Sequence, residues 1–452
     1  MRRSLGVLAP DLLLRLHERH PDRYPVILES VGGDSGLGRY DVLFAAPGEC
    51  LQLRSDGSLE GPGPLPVAGS FLGCLDAWWS GERAAYPGPQ ELPFTGGWFL
   101  YLGYELAAEI EPRLRLPDSS LPRALAWRMH GAVVRDRLSG ETTACAEPRV
   151  AATLDSELDH DLAAAAVDAN PAVGPLALAV EEDEPGRFLN GVEVVLEAIA
   201  RGDVYQANLS RGWRAQLPAG VGAGDLYRRL RAANPAPFAG SARLPGFTVL
   251  SSSPERLLRI EHGTASTRPI AGTRPRGGTR ESDASLRAEL VLNEKERAEH
   301  VMLVDLERND LGRICRGGTV HVDEFMTIES YATVHHIVSN VSGELRAGVT
   351  PGAAIAAVFP GGTITGCPKV RCMELLAELE RAPRDAYTGS MGYLGRDGTL
   401  DLNILIRTLT LRDDAVGFRT GAGIVADSHP EAELAETRAK ARGLLRALGS
   451  ET

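Results

Sequence analysis

The spacing of apolar and polar residues falls into three regimes along the chain, and each predicts a different kind of structure. In the first third, short apolar runs at 40–45, 97–101 and 132–136 stand between turns rich in proline and glycine, the pattern of strands joined by tight connections, with helices interspersed. Between about 150 and 185 alanine and acidic residues take over, with scattered prolines; this predicts an exposed helix followed by a connector. Beyond 186, stretches of helical period at 188–201, 282–310, 351–358, 370–381 and 430–448 alternate with β-rich runs at 247–252, 257–261, 319–322, 387–393, 403–411 and 417–420. Strands clustered between helices favour an α+β class over a doubly wound parallel sheet. The chain thus divides into a β-rich region at 1–150, a connector at 151–185 and a main region at 186–450.

Composition narrows the function classes. With 43% hydrophobic and 24% charged residues in 452, the chain has the makeup of a folded protein with ample core. A net charge of −12 argues against a nucleic-acid groove. No apolar run reaches the roughly 18 residues a membrane helix needs, and Asp11 and Arg15 interrupt the opening MRRSLGVLAPDLLLRL, so neither a membrane span nor a signal peptide is expected. The six cysteines, at 50, 74, 145, 315, 367 and 372, make no CxxC pair. They point to a reducing, cytoplasmic setting. None sits in a G-x-C-x-G context, so no amidotransferase nucleophile is present. Only three of 48 basic residues are lysine: Lys295, Lys369 and Lys440. They can mark places that want a compact ammonium, or none at all.

Candidate chemistry begins with carboxylates. Glu296 and Glu299 lie three apart on one predicted helix, as do Glu433 and Glu436 on another, with Lys440 one turn further on. Two facing E-x-x-E pairs would offer a hard cation four carboxylates. By spacing alone solvated faces, with Glu436–Lys440 an ordinary i, i+4 pair, are the favoured reading. Ser428 and Glu431 fit a capping box around Pro430. The glycine-rich turns at 269–273, 360–369 and 421–423 bring backbone N–H groups within reach of an anion, or serve simply as hairpins. The middle one is no Walker A loop, because Lys369 is not followed by Ser or Thr. Arg407, on a predicted strand, can hold a carboxylate bidentately.

Ser253-Pro-Glu-Arg256, RPIAGTRPRG (268–277), AEHVMLVDLERND (298–310), FPGGTITGCPK (359–369), GSMGYL (389–394), IRT (406–408), GAGIVADS (421–428) and EAELAET (431–437) occur in one order. In that order they resemble the chorismate-utilising enzymes: component I of anthranilate and aminodeoxychorismate synthases, isochorismate synthase and salicylate synthase. The resemblance is dense over 188–448 and looser before it. It implies two interleaved α/β subdomains around a large antiparallel β-sandwich, helices outside and the site between the sheets. By position it implies that Glu296, Glu299, Glu433 and Glu436 hold Mg²⁺, with Glu299 and Glu436 as direct ligands. Arg407, Tyr393, Lys440 and the backbone at Gly421 and Gly423 would hold the carboxylates of chorismate. Glu255 would be the general acid for departure of the C4 hydroxyl, which requires a raised pKa. His336 would line the pocket, a structural histidine being the competing reading. Thr363, Thr365, Gly366 and Thr273 would face the ring.

The resemblance also separates branches. Hydroxylating members place a lysine base where this chain has Gln206, and glutamine cannot act as one; amination is therefore expected over isochorismate formation. Ala271 stands where many aminodeoxychorismate synthases carry a nucleophilic lysine, as in anthranilate synthases. Against that, the strings at 38–47 and 97–105 resemble aminodeoxychorismate synthases, those at 365–374 and 401–408 resemble a subset of them that lacks the lysine, and this is the expected branch. Ammonia would come from a separate glutamine amidotransferase subunit. Ile27-Leu-Glu-Ser30 and Asn234-Pro-Ala-Pro-Phe238 resemble the family's tryptophan-binding region; plain core β structure accounts for them equally. A degenerate, non-catalytic chorismate-binding homologue is the remaining alternative, and the complete set Glu255, Glu299, Glu436, Arg407 and Lys440 argues against it.

Overall fold

The apolar runs of the N-terminal third form the strands Val26–Glu29, Tyr40–Leu53, Gly97–Leu102 and Ala124–Asp136. Their partners lie far away in sequence. Val26–Glu29 pairs with Phe238–Leu244, and Gly97–Leu102 with Ser390–Gly395, so both ends of the chain share one sheet. The computed structural model describes residues 1–31, 38–63, 69–84, 92–167, 176–331 and 334–450. Among these, 21 strands join in a continuous network in which every pairing between strands is antiparallel. The α+β expectation holds.

The strand Gly97–Leu102 shows why the sheet lies deep inside. All six of its residues are buried. Trp98, Leu100 and Leu102 enter a core shared with Phe71, Leu75, Ile355 and Phe359, while Phe99 and Tyr101 enter another with Phe44, Phe94 and Phe247. Period-two alternation sends neighbours to opposite faces, and here both faces are covered. Each large apolar side chain so buried contributes roughly 1.5–3 kcal/mol.

Several boundaries differ from expectation for identifiable reasons. The helix expected at 282–310 is two, Arg280–Leu292 and Glu294–Gly312. Asn293 leaves helical geometry between them, and its side chain accepts from the Glu296 N–H at 3.0 Å, capping the second. The capping box at 428–431 does not form. His429 is the N-cap, and the Ser428 hydroxyl accepts instead from the Val425 N–H. The run at 403–411 breaks into Leu400–Asn403 and Thr408–Arg412, with Arg407 at φ 53° in the gap. The strand expected from 387 begins at Ser390, leaving Tyr387 in the preceding turn. The run at 319–322 lies at the start of the longer strand His321–Ser330. The connector contains the helix Ala151–Val167; its residues 168–175 lie outside the described ones, as does the side chain of Lys295. Among the described residues no helix is long and apolar enough to cross a membrane.

Candidate active site

Glu255 sits in the tight link between the strands Phe247–Ser253 and Arg256–Glu261. Only 4% of it is exposed. Its Oε1 accepts from the Thr363 hydroxyl at 2.7 Å. Burial drives its pKa up to about 8; the Thr363 hydrogen bond pulls the other way, and the nearby Glu307 adds to the rise. A carboxyl in this state carries a proton at neutral pH and can give it away.

Thr363 is presented by the short turn Gly362–Ile364, and Thr365 is tied down by its own hydroxyl to the Gly361 carbonyl at 2.9 Å. At Gly366, φ is 127° and a Cβ would stand 2.1 Å from the Gln206 carbonyl oxygen, so only glycine lets this loop lie against the strand Gln206–Gln216.

Opposite stands His336, whose Nδ1 is 2.8 Å from the Thr273 hydroxyl. Burial, then the charge of Arg407, lower its pKa to about 3, so the imidazole is neutral. His335 turns the other way, to Asp283 and Ser330.

The cationic side of the site is made by Arg407, Lys440 and a bare strip of strand. Burial lowers the pKa of Arg407. Its Nη1 reaches the Asn234 Oδ1 at 3.4 Å, and among the described residues no carboxylate pairs with it. The Lys440 ammonium donates to the Gly421 carbonyl at 3.1 Å, and its charge reaches both Glu255 and His336. A methyl at Gly421 would lie 2.4 Å from Asn208 Oδ1 and 2.7 Å from the Tyr387 hydroxyl; one at Gly423 would lie 2.5 Å from Gln206 Nε2. Gln206 and Asn208, i and i+2 on one strand face, are buried, and among the described residues their side-chain oxygens find no hydrogen-bond partner. Two buried amides without partners are costly unless a ligand satisfies them.

One expectation needs correction. Tyr393 does not reach the site: its ring packs against Phe44 and Phe94 in an apolar core, because its strand turns that face inward. The tyrosine at the site is Tyr387, buried against Arg407 and the Gly421 strip, which the sequence reading missed. Two of the four glutamates expected to hold Mg²⁺ meet cations. Glu296 Oε1 is 2.5 Å from Arg274, and Glu436 is 2.7 Å from Lys440. Glu433 is buried and Glu299 partly so. Among the described residues no three acidic, histidine or cysteine side chains stand close enough to hold an ion. The donor chemistry suits a hard cation, since all four are carboxylates and the buried Glu296 Oε2 has no hydrogen-bond partner among the described residues.

The model of the chorismate binding enzyme family matches residues 51–446. This chain belongs to the chorismate-binding enzymes. It is 42% identical over 469 aligned positions to aminodeoxychorismate synthase component 1 of Bacillus subtilis, covering 99% of this chain and 97% of that one. It is 44% identical over 419 to the anthranilate synthase component I-like protein of Synechocystis sp., covering 91% and 83%. Among solved structures, anthranilate synthase component I from Streptococcus pneumoniae superposes with a TM-score of 0.80 at 30% identity, covering 90% of this chain and 92% of that one. A chorismate-binding enzyme has to hold a compact dicarboxylate. Arg407, partly buried and without a carboxylate partner among the described residues, is the candidate for that task.

Proposed function

We propose that this chain is an aminodeoxychorismate synthase component I: it aminates chorismate with ammonia from a glutamine amidotransferase subunit, giving 4-amino-4-deoxychorismate. The observation that carries the substrate class is Arg407, partly buried, without a carboxylate partner among the described residues, and close to Tyr387, whose hydroxyl borders the Gly421 strip that Lys440 also reaches. In this reading Arg407 and the strip take one carboxylate, while Lys440 sits near the other. Glu255 donates its proton as the C4–O bond breaks, so that the hydroxyl leaves as water. Neutral His336, fixed by Thr273, shapes the pocket without adding charge. Mg²⁺ would be held by Glu299 and Glu436, with Glu296 and Glu433 behind them; when bound, it offsets charge on the dianionic substrate.

Support for the amination branch comes from Gln206, a residue unable to deprotonate water, and from near end-to-end similarity to the Bacillus subtilis protein. The name component 1 implies a second component in that relative, and the present chain has no G-x-C-x-G nucleophile of its own. The second reading, anthranilate synthase component I, is favoured by Ala271 and by the names of the other relatives. Product analysis separates them. The purified chain is given chorismate, Mg²⁺ and ammonium, and the products are resolved by chromatography and mass spectrometry. A product retaining the pyruvyl group supports the amination at C4; anthranilate with pyruvate overturns it.

A further inference from the structure

We propose that Arg384 is a positioning residue that sets the spacing of three walls of the substrate site, and that Tyr104 and Glu105 of the N-terminal region hold it there. The proposal rests on the chorismate reading above. Arg384 is 3% exposed and lies on no helix or strand. Its Nη1 donates to the Ile364 carbonyl at 3.2 Å, between Thr363 and Thr365. Its Nη2 donates to the Asn208 carbonyl at 2.7 Å, two residues from Gln206. The guanidinium lies 5.6 Å over the Tyr387 ring. One planar group therefore touches the ring-side loop, the strand that carries Gln206 and Asn208, and the tyrosine near Arg407.

The same group is gripped from behind. Glu380 takes Nε at 2.9 Å and Nη2 at 2.6 Å, and itself accepts from the Ser210 N–H and hydroxyl at 2.9 and 2.8 Å. The Tyr104 ring stacks on the other side at 4.8 Å. Glu105 accepts from the N–H of Arg384 at 2.8 Å and from that of Asp385 at 3.1 Å. Tyr104 and Glu105 belong to the string at 97–105, which no step of the proposed reaction uses. Buried ion pairs are weak evidence of stabilisation. What distinguishes this one is where the spare donors go, namely to the backbone of the site walls. Lysine preserves the charge but cannot reproduce the fork.

The test uses the full chain with chorismate, Mg²⁺ and ammonium, comparing R384K with wild type in kcat, KM and melting temperature. The comparison variant is R128K, which alters a buried arginine held by Glu82 and Glu147 away from the site. Misplacement of a site wall by about 1 Å is expected to lower kcat of R384K about 100-fold while KM changes less than about threefold. R128K is expected to lose melting temperature with kcat unchanged. Wild-type turnover with an R384K of similar kcat refutes the positioning role alone. So does an equal kcat loss in R128K, or an R384K chain that fails to fold, since either makes the cluster purely structural. A wild type that leaves chorismate unconsumed refutes the proposed reaction and the positioning role with it.

Discussion

Replacing Glu255 by glutamine should slow the enzyme and, at alkaline pH, stabilise it. The carboxyl is raised from 4.5 to about 8 because it is buried. At about 1.4 kcal/mol per pH unit, the site prefers the protonated form by about 5 kcal/mol. Because the folded pKa lies above the unfolded one, this contribution is fully present below pH 4.5 and is lost as pH rises through about 8. Glutamine keeps the shape and the neutral state but carries no transferable proton. The assay is the initial rate of chorismate loss across pH, with free ammonia held constant, alongside thermal melts. Wild-type kcat should fall above about pH 8. Glu255→Gln should lose 10²–10⁴-fold at neutral pH, roughly the worth of a general acid, and melt higher than wild type at about pH 9. A flat wild-type profile through that range, or a glutamine variant within about tenfold of wild type, would refute the assignment of Glu255 as the acid.

Other outcomes follow from the same geometry. Thr363→Val removes the hydroxyl 2.7 Å from Glu255 Oε1, an interaction that holds the pKa down, so the alkaline limb should move to higher pH; an unmoved limb counts against the contact. Gly421→Ala places a methyl 2.4 Å from Asn208 Oδ1 and should raise KM for chorismate at least tenfold, with about 1–3 kcal/mol of overpacking cost in denaturant melts. Glu436→Ala should leave the melting temperature near that of wild type, because the side chain is exposed and, among the described residues, paired with Lys440 alone, while abolishing turnover and weakening Mg²⁺ binding by calorimetry. Undiminished turnover there sinks the metal proposal.

The class of fold was legible because strand runs and helical periods are local properties, and the order of motifs singled out Glu255, Arg407 and Lys440. What escaped depended on distant partners or on turn geometry. Tyr387 and Tyr393 are six apart, so a continuous strand would put them on one face; the turn before Ser390 breaks that parity and sends only Tyr387 to the site. Arg384 and Glu380 stand four apart in the sequence, and nothing local shows that Tyr104 and Asn208 meet this pair. The spacing of Glu296 and Glu299 was readable, whereas the capture of Glu296 by Arg274 was not, since the two meet only when a strand packs on a helix. Helical propensity runs smoothly through 282–310, so only the backbone geometry of Asn293 divides it.

The pairing of Gly97–Leu102 with Ser390–Gly395 has a consequence for how the protein is made. A ribosome adding about 5–20 residues per second finishes the first strand roughly 15–60 s before the second emerges. Throughout that interval one edge of Gly97–Leu102 has no native partner, although every residue of it is destined for the interior. An unpaired apolar edge is a template for association with other chains. Yield in a heterologous host should therefore respond more to temperature during synthesis, and to chaperones acting on nascent chains, than to the stability of the finished enzyme.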